Sequence, residues 1–377
     1  VRWETVPLGE VAAIHMGQAP LGESYNDRGE GLGLIAGPGD FSNGGLKVKK
    51  FTTSPTKRTR PGDLVVGVRA SIGDLATADG EYCLGRGVAA VRPNEKLDSG
   101  YARQVLRWLA PELASRGRGA TFRTVTRLDI ETLPIPLPPL SEQRRIAAIL
   151  DAADALRSTW GEIRDSTRRA ISRRISGFFS KPTDIKPLAQ LLAEPMRNGI
   201  SPSRGGRYEG EVLTLSAITR GAFDPRQRKS DLFAAPHASD KLATEGLHLV
   251  CRGNGNAELV GAMVAVTDQP DGVAFPDTMI GFRPSSEINS PTLVAAWRHP
   301  TVRDQIRRAA RTTNGTYKVN QQSLSSIMVP VPRREDQEQI AALDAERTKL
   351  DSQLAQGLVS LNELFASLQH RAFRGEL

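Results

Sequence analysis

The feature that most constrains this chain is a repeat. Residues 133–150 read LPIPLPPLSEQRRIAAIL, and from residue 327 the chain reads IMVPVPRREDQEQIAAL. Setting Gln143 on Gln337 gives an offset of 194 residues that also places Pro136 on Pro330 and Pro138 on Pro332. The same offset aligns Ile146, Ala147, Ala148 and Ile149 with Ile340, Ala341, Ala342 and Leu343. Upstream, Val125 meets Val319 and Ile130 meets Leu324. A signal recurring at about half the length of a 377-residue chain means two copies of one unit, and a repeat decides how every other segment is read.

Residues 1–140 read as the first globular unit. Short apolar runs at 32–35, 48–51, 63–68 and 87–91 are strand-sized and bounded by Gly, Pro and Asp. A helix is expected over 99–116, with Tyr101, Val105, Leu106, Leu109 and Leu113 near helical spacing. Residues 182–332 repeat the plan: segment 185–192 matches the opening of the chain, strands are expected at 212–215, 247–251, 259–266 and 279–282, and a helix over 291–308. The fold class this predicts is α+β: two similar domains of mixed β-sheet with short helices, separated by two long helices.

The long helices follow the two Pro-rich hinges, at 141–181 and 333–377. In the first, Ser141 is a candidate N-cap with Glu142 at the acid-favouring end of the helix dipole. Ile146, Ile149, Ala153, Leu156, Trp160, Ile163, Thr167 and Ala170 step by three and four residues, which predicts an a/d seam. Arg144, Arg157, Arg164, Arg168 and Arg173 fall on the other face and are expected to be wet. In the second helix, Leu343, Leu350 and Leu364 form one seven-spaced row and Leu354, Leu361 and Leu368 the other, weakened at Gly357. At 1.5 Å per residue each helix would be roughly 50 Å long. Pairing of the two as an antiparallel intramolecular coiled coil is the simplest way to bury both seams.

The chain carries few of the groups that catalysis needs. There is no GxxxxGK[ST] phosphate loop. The pairs Gly31/Gly33 and Gly37/Gly39 lack the third glycine and the strand-to-helix setting of a dinucleotide site. His15, His237, His248, His299 and His370 have no metal-ligand spacing, and no metal is expected. Cys83 and Cys251 read as small core residues and imply a reducing, cytoplasmic compartment. No apolar run is long enough to cross a membrane, so no membrane partner is expected. A net charge of +8 and a pI near 9.7 instead favour a polyanion.

Duplicated basic, Gly-punctuated loops fit double-stranded DNA as that polyanion. Arg69 and Ser71 follow a buried strand in the first unit; Arg252, Asn254 and Asn256 do so in the second. Arg118, Thr121 and Arg123 precede the first hinge, and Arg311, Asn314, Thr316 and Lys318 the second. Gln18, Asn198 and Arg204 lie on the loops after the opening segments. Arg can pair with guanine and Asn or Gln with adenine, while Ser, Thr and Lys hold phosphates.

These features together resemble the specificity (S) subunit of type I restriction-modification systems. The most specific pieces are residues 134–150, residues 3–17 (WETVPLGEVAAIHMG) and residues 60–73 (RPGDLVVGVRASIG). The second copy departs at residues 333–337, where RREDQ replaces PLSEQ. The resemblance implies that each unit is a target recognition domain reading one half of a split, asymmetric DNA sequence. It implies that the helices set the unread spacer and dock methyltransferase (M) subunits, two in number, with restriction (R) subunits added where the system restricts. S-adenosylmethionine, ATP and Mg are then expected on those partners and no cofactor on this chain. By the same resemblance, docking and helix pairing fall to Gln143, Ile146, Ile149, Leu156, Trp160 and Ile163. Their counterparts are Gln337, Ile340, Leu343, Leu350, Leu354, Leu361 and Leu368. Two other readings stay open: a coiled-coil scaffold that self-associates, and a stand-alone DNA-binding module.

Overall fold

Proline lacks the N–H a central strand must donate, so each Pro-rich hinge can only be an edge strand. Such a strand occurs twice in the computed structural model, which describes residues 3–42, 44–119, 123–180, 183–313 and 315–377. Thr5–Pro7 pairs antiparallel with Pro134–Pro136, in the register Thr5↔Pro136, Val6↔Ile135, Pro7↔Pro134. Asp184–Pro187 pairs with Met328–Val331 in the matching register Ile185↔Pro330, Lys186↔Val329, Pro187↔Met328. The bond that follows each pair is also repeated: Leu8 N donates to Leu133 O and Leu188 N to Ile327 O, both at 2.9 Å.

The chain divides into two units, Val1–Glu162 with Ala355–Leu377, and Ile163–Leu354. In the first, a four-stranded antiparallel sheet runs in the order Ala12–Met16, Val88–Pro93, Leu64–Gly67, Leu75–Thr77. A second small sheet carries Cys83–Leu84, Leu32–Ile35, Lys50–Thr52 and Tyr25–Asn26. The helix Ser99–Ser115, N-capped by Asp98, buries Tyr101, Val105, Leu109 and Leu113 in the main core. In the second unit the sheet order is Arg197–Asn198, Met279–Phe282, His248–Cys251, Met263–Ala265. Numbered along the chain, both sheets run first, fourth, second, third. The helix expected over 291–308 is two helices, Ser290–Arg298 and Pro300–Ala309. Pro300 removes the N–H that would continue the ladder and starts a new helix instead.

The long helices are Leu140–Phe178 and Arg334–Arg374. Since the first begins at Leu140, Ser141 lies inside its first turn and is not the N-cap. Both helices contribute to the core of each unit. Ile146 and Leu150 join Phe365, Ala372 and Phe373 in the first core, where Phe373 packs 4.9 Å from Trp108 and 5.7 Å from Tyr101. The second core takes Ile340 and Leu343 together with Ile175, Phe178 and Phe179. Within each unit the helices therefore pair antiparallel, the start of one beside the end of the other. No helix among the described residues is long and apolar enough to cross a membrane.

A buried glutamine locks each long helix to its unit. Gln143, 1% exposed, accepts from Asp98 N (2.8 Å) and donates to Lys96 O (3.0 Å) and Pro138 O (2.9 Å). Gln337 repeats the arrangement, accepting from Asn289 N (2.9 Å) and donating to Glu287 O (2.9 Å) and Pro332 O (3.0 Å). Asp98 and Asn289 are the N-caps of the helices these bonds reach. Replacing either glutamine with Ala leaves three backbone groups short of partners and is expected to cost roughly 2–3 kcal/mol, read by urea unfolding.

His248 supplies a pH-dependent element to the second core. Its Nδ1 lies 3.2 Å from Gly246 O, its Nε2 3.0 Å from Ser290 Oγ, and its ring stacks on Phe282. Burial pushes the imidazole down from 6.5 to about 4. Between those values the unfolded chain binds a proton that the folded chain does not. The contribution is whole above pH 6.5 and is lost as pH falls towards 4. It amounts to about 3 kcal/mol, so His248→Gln should lower stability at pH 7 and flatten the loss between pH 6.5 and 4, measured by urea titration at each pH.

Candidate nucleic-acid interface

In both sheets the first and second strands along the chain run parallel to each other and antiparallel to the fourth, which lies between them. Their C-terminal ends and the start of the fourth strand therefore meet at one rim. In the first unit the rim is tied by Gly17 N to Val88 O (2.9 Å), Gln18 N to Leu84 O (2.9 Å) and Val68 N to Gly87 O (2.9 Å). In the second it is tied by Gly199 N to Met279 O (3.3 Å), Ile200 N to Phe275 O (3.0 Å) and Arg252 N to Thr278 O (2.9 Å). The segment before each hinge then docks on the same end, Val125 N on Val68 O (3.1 Å) and Val319 N on Arg252 O (2.9 Å).

This brings most of the predicted loop residues of each unit together. In the first unit Arg69 bridges to Thr124, which bridges to Arg118. The Arg69 guanidinium donates to Thr124 Oγ1 at 3.3 Å, and Arg118 is 83% exposed with its nearest carboxylate, Asp129, 3.9 Å away. Between Arg69 and Ser71 stands Ala70 at φ 56°, the one non-glycine residue with positive φ among the described residues. A left-handed alanine is costly, and such strain collects at binding loops. Gln18 is exposed at the neighbouring strand end. The Arg123 guanidinium donates to Ser115 O and Gly117 O, at 3.2 and 3.1 Å. It closes the C-terminal end of a helix, where cations are favoured, while remaining exposed. Thr121 lies outside the described residues.

In the second unit the pre-hinge segment is a hairpin, Arg311–Thr313 with Thr316–Lys318, that pairs with Gly253–Asn254. Arg311 and Lys318 are exposed and face each other in register; Thr316 is half-buried. Arg252 donates to Asp277 O at 3.2 Å. Asn254 Oδ1 accepts from Asn256 N (2.9 Å), and Asn256 Oδ1 caps the short turn Ala257–Leu259 through Glu258 N (3.0 Å). Asn198 is half-buried, its Oδ1 accepting from Gln321 at 3.2 Å. Arg204 is exposed on a turn bonded to the hairpin Tyr208–Leu213 with Arg228–Phe233, where Ser203 N meets Leu232 O at 2.9 Å, rather than to the rim. Asn314 lies outside the described residues. Cys251 beneath this loop has its thiol pushed up to about 11 by burial, as a core residue would. Among the described residues no three His, Cys, Asp or Glu side chains are placed to hold a metal ion.

Residues 1–163 match the family model described as the type I restriction modification DNA specificity domain. They fall on the first unit and the rim just described. The type I restriction enzyme MjaX specificity subunit of Methanocaldococcus jannaschii is 39% identical over 157 residues, 41% of this chain and 37% of that protein. The type I restriction enzyme EcoKI specificity subunit of Escherichia coli is 23% identical over 88% of this chain and 78% of its own length. The first unit is thus similar in sequence to the type I specificity subunits. Two solved structures share this chain's fold. One, described as the structural basis of complex assembly and conformational transition of the type I R-M system, has a TM-score of 0.63 at 18% identity, covering 100% of this chain and 98% of the other. The other, the type I S subunit from M. genitalium, has a TM-score of 0.56 at 15% identity, covering 99% and 96%.

The helix faces differ from the expected seam. Leu156 is 58%, Trp160 36% and Ile163 46% exposed, so these three do not form a buried stripe. The inward face is turned by about one residue. On it Arg157 stacks over the Phe365 ring at 4.4 Å and donates to Asn362 at 2.8 Å, and Arg168 pairs with Asp351 at 2.8 Å. A long cation, Arg157, thus occupies a place where apolar spacing predicts a knob and is half-buried, whereas Arg168 is 53% exposed, on a wet face as expected. Gly357 is no weak point either, because an added Cβ would stand 2.8 Å from the Trp160 indole. Leu350, Leu354, Leu361 and Leu368 are half-buried and Ile149 partly so, whereas Gln143, Ile146, Gln337, Ile340 and Leu343 are enclosed within their units.

The rim itself depends on backbone contact at equivalent glycines. A Cβ on Gly17 would lie 2.1 Å from Gly85 O, and one on Gly199 2.1 Å from Phe275 O. Gly17→Ala and Gly199→Ala should each destabilise their unit by roughly 2–4 kcal/mol, measured by urea unfolding, whereas Arg118→Ala should change stability by less than about 0.5 kcal/mol.

Proposed function

We propose that this chain is the DNA-specificity subunit of a type I restriction-modification complex and performs no chemistry itself. The observation that carries this reading is the same sheet rim built twice, on matching hydrogen bonds, and furnished with unlike side chains. Gln18, Arg69 and Arg118 on one rim, and Arg252, Asn254, Arg311, Thr316 and Lys318 on the other, would address different half-sites, while the Ser71 hydroxyl is buried beneath the first rim. The target is then bipartite and asymmetric. Methyltransferase subunits, two per chain, and restriction subunits where present would carry S-adenosylmethionine, ATP and Mg, all in the cytoplasm. Exposed apolar side chains on the helices of the first unit, Leu156, Val359 and Leu364, suit contact with such subunits.

The chain mixed with the methyltransferase encoded beside it should form a stable complex that methylates DNA, while either alone should not. Methylation by this chain alone would overturn the reading. Leu364→Asp should weaken co-purification with the methyltransferase at least tenfold without changing the melting of the free chain. Arg118→Ala should lower the slope of log affinity against log salt by about 1. Replacing rim residues 17–18, 68–73, 84–88, 117–119 and 123–125 with those of a relative should alter one half-site and leave the other intact.

A further inference from the structure

The shared rim makes positions in the two units comparable one by one. Leu84, Gly87 and Val88 of the first unit receive the bonds that Phe275, Thr278 and Met279 receive in the second, a constant difference of 191 positions. By that equivalence Arg86 corresponds to Asp277. The two sit at the turn entering the central strand of each sheet, between the strand end that carries Gln18 or Ile200 and the one that carries Arg69 or Gly253. One unit places a cation there and the other an anion.

Both side chains are unclaimed by the fold. Arg86 is exposed, and its side chain has no hydrogen bond or ion pair among the described residues. Its turn is held rigid from beneath: Gly85 N donates to Ile35 O at 2.7 Å, and a Cβ on Gly87 would lie 2.0 Å from Ala36 O. Asp277 is bonded only through its backbone, its N to Ile200 O at 3.1 Å and its O from Arg252 at 3.2 Å, which leaves the carboxylate without a partner among the described residues. A lone carboxylate on a rim of Arg252, Arg311 and Lys318 does nothing for phosphate binding. A carboxylate does match the exocyclic amino group of cytosine, as an arginine fork matches O6 and N7 of guanine. Rigid backbone beneath a free side chain is what base reading requires.

We propose that Arg86 and Asp277 are the paired specificity-determining positions of the two units, Arg86 donating to a guanine and Asp277 accepting from a cytosine amino group. This rests on the specificity-subunit reading. The test is a map of methylated adenines in cells carrying the methyltransferase with the wild-type chain, Arg86→Ala, Arg86→Lys, Asp277→Ala or Asp277→Asn. Arg86→Ala and Arg86→Lys should relax a required guanine in one half-site roughly tenfold or more and leave the other half-site unchanged. Asp277→Ala should relax a cytosine in the other half-site, and Asp277→Asn should move that position towards adenine, which an amide pairs. Uniform loss of methylation at all sites with Arg86→Ala, restored by Arg86→Lys, would mean a phosphate contact and overturn the proposal. So would an unchanged motif with all four variants. If the wild-type chain directs no motif at all, the specificity reading itself fails. Melting of each purified variant within about a degree of wild type keeps a folding defect from imitating these results.

Discussion

Two buried glutamine side chains hold this architecture in register. Each reaches from the first turn of a long helix to the backbone just before the N-cap of the domain helix and to the proline hinge behind it. An amide is suited to the place because it can donate and accept at once, and leaving these backbone groups unpaired under the hinge would be costly. With the helix start fixed to the domain, the edge strand of the hinge, the opening strand beside it and the rim beyond follow in the same geometry in both units.

That common frame separates affinity from identity. The backbone bonds that form each rim are the same, so under the proposed function they would say nothing about which sequence is read. What differs is the set of side chains mounted on them: Thr124 where the second unit has Lys318, and an isolated bridge where it has a hairpin. Buried ion chemistry differs as well. Asp63 takes a bidentate contact from Arg92 at 2.8 and 2.7 Å in the first unit. In the second, Arg283 at the matching place donates to Glu245 O and Thr244 Oγ1 and meets the Glu194 carboxylate through one nitrogen only, at 3.5 Å. The frame is kept, and the interior and rim vary around it.

Much of the frame was legible in the sequence because it rests on backbone chemistry that residue types report. Prolines mark the hinges, Gln143 and Gln337 mark the helix starts, and glycines mark close approaches. Departures arose where a side chain's role depends on a distant partner. Apolar spacing pointed to Leu156 and Ile163, but Arg157 uses its stem and guanidinium against Phe365 and Asn362, which no local pattern contains. Arg123 reads as a free loop cation and is bound to the end of a preceding helix. Arg86 is not legible as a site in the sequence, because a single charge between two glycines looks like any turn until the strands on either side are in place.

The central claim is that this chain, and not the methyltransferase, chooses the DNA. The most direct test is a genome-wide map of methylated adenines in cells with the chain and its neighbouring methyltransferase gene, compared with cells lacking only this chain. Disappearance of methylation at one split, asymmetric motif, with every other motif intact, is the predicted result. An identical map in both strains, with the methyltransferase active and bound to this chain, would contradict it.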